Sequence, residues 1–231
     1  MRWIMNEQVE RDVMEYDVLI IGGGPSGLSS AIKVKQLANA DGKDVSVCVL
    51  EKGSEIGAHI LSGNVFEPTA LNELIPDWKE KEAPLNSPAT KDIVKFMVSE
   101  NYSINIPFPS FLIPTFNNHG NYVMSLANFT RWLATQAESL GVEIFPGFTA
   151  AEVIFEENVV KGVLTGEMGI SKDGEKKPSY QPSMELRGKY TVFSEGCRWH
   201  LGKQLIKKFN LDENRDPQHY GIGFKEIWDI S

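Results

Sequence analysis

A run of glycines near the start of the chain has the spacing of a phosphate-binding turn. Residues 22–27 read Gly-Gly-Gly-Pro-Ser-Gly, which fits the pattern GxGxxG. Gly22 permits a tight turn, Gly24 lets the backbone approach a pyrophosphate, and Gly27 lets a following helix pack closely on the preceding strand. Pro25 suits the first position of that helix, whose N-terminal amides favour a phosphate group. The spacing therefore predicts a dinucleotide site.

An acidic residue follows where such a site needs a partner for ribose. Glu51 lies 24 residues after Gly27, directly after a second apolar run. A carboxylate at this position accepts hydrogen bonds from ribose hydroxyls, and it disfavours the 2′-phosphate of NADP. Taken singly, the glycines fit a structural turn and Glu51 fits a solvated charge, but the complete pattern favours a dinucleotide.

Two apolar runs and the helix between them are predicted to position these residues. Residues 16–21 end at the glycines and are typical of a fully buried strand. The helix begins at Pro25, has apolar residues at helical spacing and ends near Asp41 and Gly42. Residues 45–50 form a second, β-branched strand. A strand, helix and strand within about 35 residues make a parallel βαβ unit with a right-handed crossover.

The rest of the chain alternates between predicted strands, helices and turns. A second long helix is expected to begin at an Asn128 cap and to end at Gly141. The pair Glu157–Asn158 is turn-like and predicts a small antiparallel meander, whereas residues 166–183 are polar and are expected to form a solvated loop. The remaining predicted strands are 93–98, 122–126, 142–145, 151–155, 159–164, 190–193 and 221–230, and the remaining helices are 68–74 and 199–209.

Composition excludes several classes of protein. The 231 residues suffice for one large domain or two small ones. With 23 Lys and Arg against 31 Asp and Glu, the formal net charge is −8, and no basic stripe indicates a nucleic-acid partner. No apolar run approaches the roughly 18–20 residues of a membrane-spanning helix, and residues 1–15 lack the apolar core of a signal peptide.

Other residues that commonly do chemistry form no recognisable set. Cys48 and Cys197 are the only cysteines, which excludes a disulfide framework and any metal cluster that takes four thiolates from this chain. Cys48 lies in an apolar run and is interpreted as a core residue, and packing is also favoured over a redox role for Cys197. The histidines show neither metal-ligand spacing nor a recognisable catalytic partner: His59, His119, His200 and His219. We therefore expect no catalytic side chain and no metal site in this chain.

One long stretch carries no formal charge. Residues 101–130 contain no Asp, Glu, Lys or Arg, and residues 104–116 combine large apolar side chains with three prolines that forbid a regular helix or a central strand. One interpretation is a loop packed over the dinucleotide domain. The other is a shallow dip into a membrane interface, and it assigns lipid contact to Phe108, Phe111, Leu112 and Ile113.

The layout after the second strand favours FAD over a nicotinamide cofactor. A nicotinamide dehydrogenase usually continues into further parallel strands, whereas here a glycine-bracketed loop follows at residues 57–63. The predicted meander and the strand end at residues 193–196 also fit a flavin domain.

Several segments together resemble the N-terminal part of the electron transfer flavoprotein–ubiquinone oxidoreductase family. The resemblance runs from about Met14 over nearly the whole chain, and segments such as 57–59 and 118–122 are far more specific than the glycine pattern. The matching segments are 16–27, 45–53, 57–63, 74–78, 117–122, 132–147, 166–169, 180–184 and 202–205.

The resemblance implies a fold and a set of cofactor contacts. The implied fold is α/β: a glutathione-reductase-like, FAD-binding Rossmann domain with an antiparallel meander, plus part of a quinone- or membrane-facing α+β domain. Glu195 and Gly196 correspond to the Asp-Gly fingerprint of related flavoproteins, with Glu in place of Asp, and Arg131 is placed near the adenosine end. The implied FAD-binding residues are Gly22, Gly24, Pro25, Gly27, Glu51, Lys52, Gly57, Ala58, His59, Leu61, Ser62, Gly63, Arg131, Glu195 and Gly196.

The resemblance also implies an activity and its partners. The family passes electrons from reduced electron transfer flavoprotein to ubiquinone, using FAD and a four-iron four-sulfur cluster. Because family members are more than twice as long, we expect the cluster only in a missing C-terminal part, and we expect this partial chain to be inactive alone. The expected location is peripheral, on the cytoplasmic face of a bacterial inner membrane.

Two alternatives stay open at this point. The first is a related FAD oxidoreductase of the geranylgeranyl reductase or nitrogen-fixation flavoprotein type, and the second is an inactive flavin-binding fragment.

The sequence also predicts five segments. They are an N-terminal extension at 1–14, a FAD-binding βαβ unit with the flavin loop at 15–90, a membrane- or quinone-facing insertion at 91–126, the rest of the FAD domain at 127–210 and the start of a second domain at 211–231.

Overall fold

The structure, a computed structural model, describes residues 11–61, 63–106, 117–197, 200–223, 226 and 229. The helices in these residues are α1 (Pro25–Ala40), α2 (Thr69–Leu74), α3 (Leu126–Ser139) and α4 (Gly202–Phe209). The strands are β1 (Val13–Ile21), β2 (Val47–Glu51), β3 (Asn64–Phe66), β4 (Ser87–Pro88), β5 (Val94–Ser99), β6 (Tyr102–Ile106), β7 (Tyr122–Met124), β8 (Val142–Pro146), β9 (Ala150–Glu156), β10 (Val159–Thr165), β11 (Met168–Ile170), β12 (Lys176–Gln181) and β13 (Glu185–Phe193).

The chain divides into two units, and the first contains a mixed six-stranded sheet. This unit comprises Met1–Ala58 and Leu133–Ser231, and the second comprises His59–Trp132. The strand order in the sheet is β8-β2-β1-β13-β10-β9. The first four of these strands are parallel, and β10 and β9 extend the sheet in antiparallel fashion. The predicted α/β fold with an antiparallel meander is therefore confirmed.

Residues 18–21 of β1 and 47–50 of β2 are apolar without interruption because both of their faces are covered. On one face, α1 packs so closely that a Cβ added to Gly27 would lie 3.2 Å from Cγ2 of Ile20. On the other face, Leu19 and Cys48 join one apolar cluster with Leu205 of α4. Burial on both sides removes the polar alternation that a half-exposed strand would show.

The second unit is a small α+β arrangement built around aromatic side chains. Its three-stranded sheet has the order β3-β7-β4. The rings of Phe66 and Phe129 lie 4.8 Å apart, and those of Trp78 and Tyr122 lie 5.8 Å apart. The indole of Trp78 also donates a hydrogen bond to Oδ1 of Asn72 at 2.7 Å, so its polar atom is paired although the side chain is buried. Strands β5 and β6 form a separate hairpin in the same unit.

Several predicted elements differ from the structure. Helix α3 begins at Leu126 rather than after Asn128, because Oγ of Ser125 accepts the N–H of Asn128 at 3.4 Å and takes the capping position. Leu126 is therefore not the end of a strand. The expected solvated loop at 166–183 contains the hairpin β11–β12. The described residues of the last predicted strand, 221–223, 226 and 229, lie in no strand, so that prediction is wrong where the structure describes it.

The hairpins β9–β10 and β11–β12 close with different kinds of turn. The predicted turn Glu157–Asn158 is confirmed between β9 and β10, and both residues have positive φ angles, as a tight hairpin with a two-residue loop requires. The β11–β12 hairpin closes where the N–H of Ser171 donates to the carbonyl of Glu175 at 2.8 Å, with Gly174 at φ +84°. The lysine-rich composition of residues 166–183 gives no local signal for these strands. In the structure, Nζ of Lys176 lies 3.9 Å from the centre of the Tyr180 ring.

Asp17 of β1 is bonded to Lys189 of β13 and to Ser46, the residue directly before β2. Its carboxylate accepts the Nζ of Lys189 at 2.5 Å, and it accepts the N–H and the hydroxyl of Ser46 at 2.8 and 3.0 Å. The bond from Lys189, followed by those from Ser46, lowers the pKa of Asp17 from 3.8 to about 2. A carboxylate with a depressed folded-state pKa stabilises the fold above its unfolded-state pKa, and this contribution is lost as the pH falls through the folded-state value.

We therefore expect Asp17→Asn to flatten the acid dependence of stability. The unfolding free energy of the unsubstituted chain should fall more steeply between about pH 4 and pH 2 than that of the variant, as measured by urea unfolding at a series of pH values. Asp41→Asn is the control, since the exposed Asp41 carboxylate pairs with Lys43, which is only two residues further along the chain. Parallel curves for the chain and Asp17→Asn would contradict this role.

Candidate dinucleotide-binding site

Gly22 and Gly27, in the turn after β1, have no room for a side chain because backbone atoms of the protein lie too close. Gly22 has φ +110°, and a Cβ added to it would lie 2.4 Å from the carbonyl oxygen of Ser194. A Cβ added to Gly27 would lie 2.0 Å from the carbonyl oxygen of Gly22. The N–H of Gly22 also donates to the carbonyl of Leu50 at 2.8 Å. These close approaches hold the ends of β1, β2 and β13 and the start of α1 together.

At Gly24, unlike at these two glycines, no atom of the described residues would clash with an added side chain. Its backbone is extended, with φ −78° and ψ 179°, and a Cβ added to it would meet nothing within 4 Å. The first hydrogen bond of α1 runs from the N–H of Leu28 to the carbonyl of Gly24 at 3.0 Å, so the amides of Ser26 and Gly27 precede it. An open side next to such amides fits the pyrophosphate of a dinucleotide.

Glu51 at the end of β2 connects two turns through its carboxylate. Oε2 accepts the N–H of Gly23 at 2.9 Å, and Oε1 accepts the N–H of Gly53 at 2.7 Å. The half-buried side chain is thus fixed in orientation, and each oxygen keeps acceptor capacity for a ribose hydroxyl. The sequence predicts the ribose contact but not the two backbone bonds, because these depend on the exact approach of the two loops.

The loop after Glu51 folds back within the first unit. The carbonyl of Gly53 accepts the N–H of Gly147 at 2.7 Å, and buried Ile56 lies against Gly23. Gly57 has φ +84°, a conformation that favours glycine. Lys52 is exposed, as is Ala58, and the predicted cofactor contacts of Lys52, Gly57 and Ala58 stay predictions.

Nine predicted residues lie in the second unit or outside the described residues. His59, Leu61 and Gly63 are exposed residues of the second unit. Arg131 lies on α3, where its Nη1 donates to Oδ1 of Asn128 at 2.9 Å. These four assignments stay predictions. Five further predicted residues lie outside the described residues: Ser62, Phe108, Phe111, Leu112 and Ile113.

Glu195 has a structural partner that the sequence did not predict. Its carboxylate accepts the N–H of Leu201 at 3.1 Å and the N–H of Gly202 at 3.0 Å, at the start of α4. The cap reaches across six residues, whereas the usual capping residue immediately precedes its helix, so no local spacing signals it. The N–H of Ser194 donates to the carbonyl of Ile21 at 2.7 Å, which holds this loop beside the glycine turn. A cofactor contact from Glu195 or Gly196 stays a prediction.

Two buried groups near the sheet are held in their protonated forms. Burial, and then the charge of Glu143, raises the pKa of the Cys48 thiol to about 12, so this thiol is a poor nucleophile at neutral pH. Burial and the hydrogen bond to Glu143 raise the pKa of Tyr16 well above its ordinary value. Within the described residues, no group of three or more His, Cys, Asp or Glu side chains is placed to hold a metal ion.

Comparisons with known proteins match this geometry. The family described as NAD(P)-binding Rossmann-like domain matches residues 20–75, which include the glycine turn and Glu51. The chain is 59% identical over 225 residues to the electron transfer flavoprotein-ubiquinone oxidoreductase of Pseudomonas aeruginosa, covering 96% of this chain and 40% of that protein. It is 57% identical over 225 residues to the probable enzyme of the same name from Acinetobacter baylyi, covering 96% of this chain and 39% of that protein.

The resemblance inferred from the sequence is confirmed. The chain is similar to these oxidoreductases over nearly its whole length, and it spans about 40% of theirs.

Solved structures of low sequence identity share the fold. A geranylgeranyl bacteriochlorophyll reductase-like protein from Thermoplasma acidophilum matches with a TM-score of 0.55 and 22% identity, over 80% of this chain and 40% of that one. A myxobacterial chondrochloren halogenase, described as a variant of FAD-dependent halogenases, matches with a TM-score of 0.52 and 20% identity, over 83% and 39%. These likenesses support an α/β fold of the dinucleotide-binding type with a mixed sheet.

The difference between Gly24 and Gly27 predicts two separable effects. Gly24→Ser should leave the unfolding free energy within about 0.5 kcal/mol of the unsubstituted chain, since there is room for the side chain and serine is a good helix cap. It should weaken binding of an adenine dinucleotide at least roughly tenfold, because the new hydroxyl takes the space and the amides meant for phosphate. Gly27→Ala should instead lower the unfolding free energy by about 2 kcal/mol or more.

Urea unfolding without cofactor and titration with FAD measure these two effects. Undiminished FAD affinity in Gly24→Ser would contradict the phosphate site at this turn, and unchanged stability in Gly27→Ala would contradict the tight contact with Gly22.

Proposed function

We propose that this chain binds FAD and supplies the flavin-binding part of an oxidoreductase that passes electrons from reduced electron transfer flavoprotein to ubiquinone. The observation that carries the cofactor assignment is the open side of Gly24 beside the amides at the start of α1. The 59% identity to a protein of that name supports the activity.

The residues of the glycine turn and of β2 account for binding and orientation. The amides of Ser26 and Gly27, with the positive end of α1, bind the pyrophosphate. Glu51, fixed by its two backbone hydrogen bonds, accepts the ribose hydroxyls. When bound, FAD supplies the electron-transfer chemistry. Electron transfer of this kind needs no side-chain nucleophile.

The iron–sulfur cluster expected for such an enzyme requires ligands beyond this chain. A four-iron cluster takes four thiolates, whereas the sequence contains two cysteines, one of which, Cys48, is buried. We therefore assign FAD binding to this chain and the cluster to other residues of the complete oxidoreductase. Electron transfer flavoprotein and ubiquinone are the proposed partners, and the proposed place of action is the cytoplasmic face of a bacterial inner membrane.

A membrane surface is the proposed occupant of the apolar face of hairpin β5–β6. The cross-strand pairs Val94–Ile106 and Phe96–Ile104 share one face, and Lys95–Asn105 lies on the other. Phe96 is 61% exposed and Ile104 is 49% exposed. Ubiquinone is lipid-soluble, so its reductase needs contact with a lipid surface, and an exposed apolar face next to a charge-free segment provides such contact. No helix in the described residues has the length and apolar character needed to cross a bilayer.

The cofactor assignment predicts a flavin-loaded chain with a defined selectivity. After incubation with FAD and gel filtration, the chain should retain visible flavin absorbance, and neither NAD nor NADP in excess should displace it.

Reduced electron transfer flavoprotein with ubiquinone should give no turnover with this chain alone, because the chain lacks cluster ligands. Displacement of FAD by NAD would contradict the cofactor assignment, and turnover would contradict the requirement for the cluster.

The membrane assignment predicts a difference between the two faces of the hairpin. Phe96→Asp should lower partitioning into phosphatidylcholine vesicles at least roughly tenfold, because it removes an apolar contact worth about 1.5–3 kcal/mol. Uncharged vesicles suit a chain with a net charge of −8. Met97→Asp is the matched control, since Met97 is 62% exposed but pairs with Ser103 on the opposite face. Equal losses in both variants would contradict docking through the apolar face.

A further inference from the structure

Two hydrogen bonds join the chain on either side of hairpin β5–β6. Asp92 lies two residues before β5, and its Oδ1 accepts Nδ2 of Asn118 at 2.7 Å. Its Oδ2 accepts the backbone N–H of Asn118 at 3.1 Å. One carboxylate therefore holds both the side chain and the backbone of a residue that is far along the sequence, beyond the hairpin.

Asn118 is itself anchored to the three-stranded sheet of the second unit. Its carbonyl accepts the N–H of Asn121 at 2.9 Å, and Asn121 in turn accepts the N–H of Ala89 at 2.8 Å. Ala89 directly follows β4, and Tyr122 begins β7, which pairs with β4. Hydrogen bonds therefore connect the three-stranded sheet to Asn118 and Asn118 to Asp92, which lies two residues before β5.

The hairpin depends on support at its base. In the part of the chain that the structure describes, β5 and β6 pair only with each other. A lone two-stranded hairpin is at best marginally stable in water. Since its apolar face is exposed, burial contributes little to its order, so a tie close to the start of β5 is an important constraint.

We propose that Asp92 and Asn118 form a positioning clasp that keeps hairpin β5–β6 ordered and presents its apolar face to lipid. The lipid part of this inference rests on the proposed function, whereas the ordering of the hairpin does not. The hydrogen bonds from Asn118 lower the pKa of Asp92, and nearby His119 acts in the same direction, so the carboxylate is ionised at neutral pH. An ionised acceptor makes stronger hydrogen bonds than a neutral one.

A swapped pair tests the clasp directly. Asn118→Asp places two carboxylates against each other and should speed amide hydrogen exchange in residues 94–106 by about three- to tenfold, as expected for losing hydrogen bonds to an exposed charged group. The double variant Asp92→Asn with Asn118→Asp restores one amide and one carboxylate in exchanged positions, and its exchange should return most of the way to the original rate, because the backbone N–H of residue 118 then donates to a neutral amide oxygen. Asp77→Asn, which removes an exposed carboxylate paired with Lys81 in the same unit, is the control and should change nothing.

The outcomes separate the clasp from the membrane assignment. Unchanged exchange in Asn118→Asp would overturn the clasp, and so would fast exchange that the double variant fails to restore. Vesicle partitioning should fall in Asn118→Asp and recover in the double variant. If exchange follows the expected pattern but the unsubstituted chain does not bind vesicles, the clasp stands and the lipid surface is wrong.

Discussion

The close approach of Gly27 to the Gly22 carbonyl is the constraint on which the first unit depends. The space between them has no room for a methyl group, so α1 can start only where it does, directly above the end of β1. That position brings the helix amides to the carboxyl edge of the parallel strands. Ligands of open α/β sheets bind at this edge because loops diverge there and leave a crevice.

Backbone amides, rather than side chains, organise that edge. The Glu51 carboxylate accepts hydrogen bonds from two backbone amides in different turns, and the Glu195 carboxylate accepts hydrogen bonds from two backbone amides at the start of α4. The loop that follows β13 is held between the end of β1 and a helix cap. Both carboxylates therefore have structural partners, and Glu51 combines this with a position suited to ribose. These shared hydrogen bonds hold an edge that is made largely of loops.

The sequence predicted the parts of the fold whose signals are local. The run Tyr16–Ile21, the GxGxxG pattern and the Glu157–Asn158 turn each occupy a few consecutive residues, and each has a distinct physical signature. The α3 start was misplaced because Asn128 and Ser125 are both good caps, and only the path of the chain decides between them. The Glu195 cap and the Asp92–Asn118 pair join residues that are distant in sequence, so no local pattern reveals them. The β11–β12 hairpin was hidden by its polar composition, since its stability comes from backbone pairing and a lysine–tyrosine contact rather than from burial.

The exposed face of hairpin β5–β6 has a thermodynamic consequence. Apolar area that stays in contact with water in the folded chain adds little to the heat-capacity change of unfolding. A partner that covers this area and binds only the folded form would raise the free energy of unfolding, and the gain would grow with the logarithm of the partner's concentration once that concentration exceeds Kd. Covering this face would therefore change the stability of the chain without changing any contact within it.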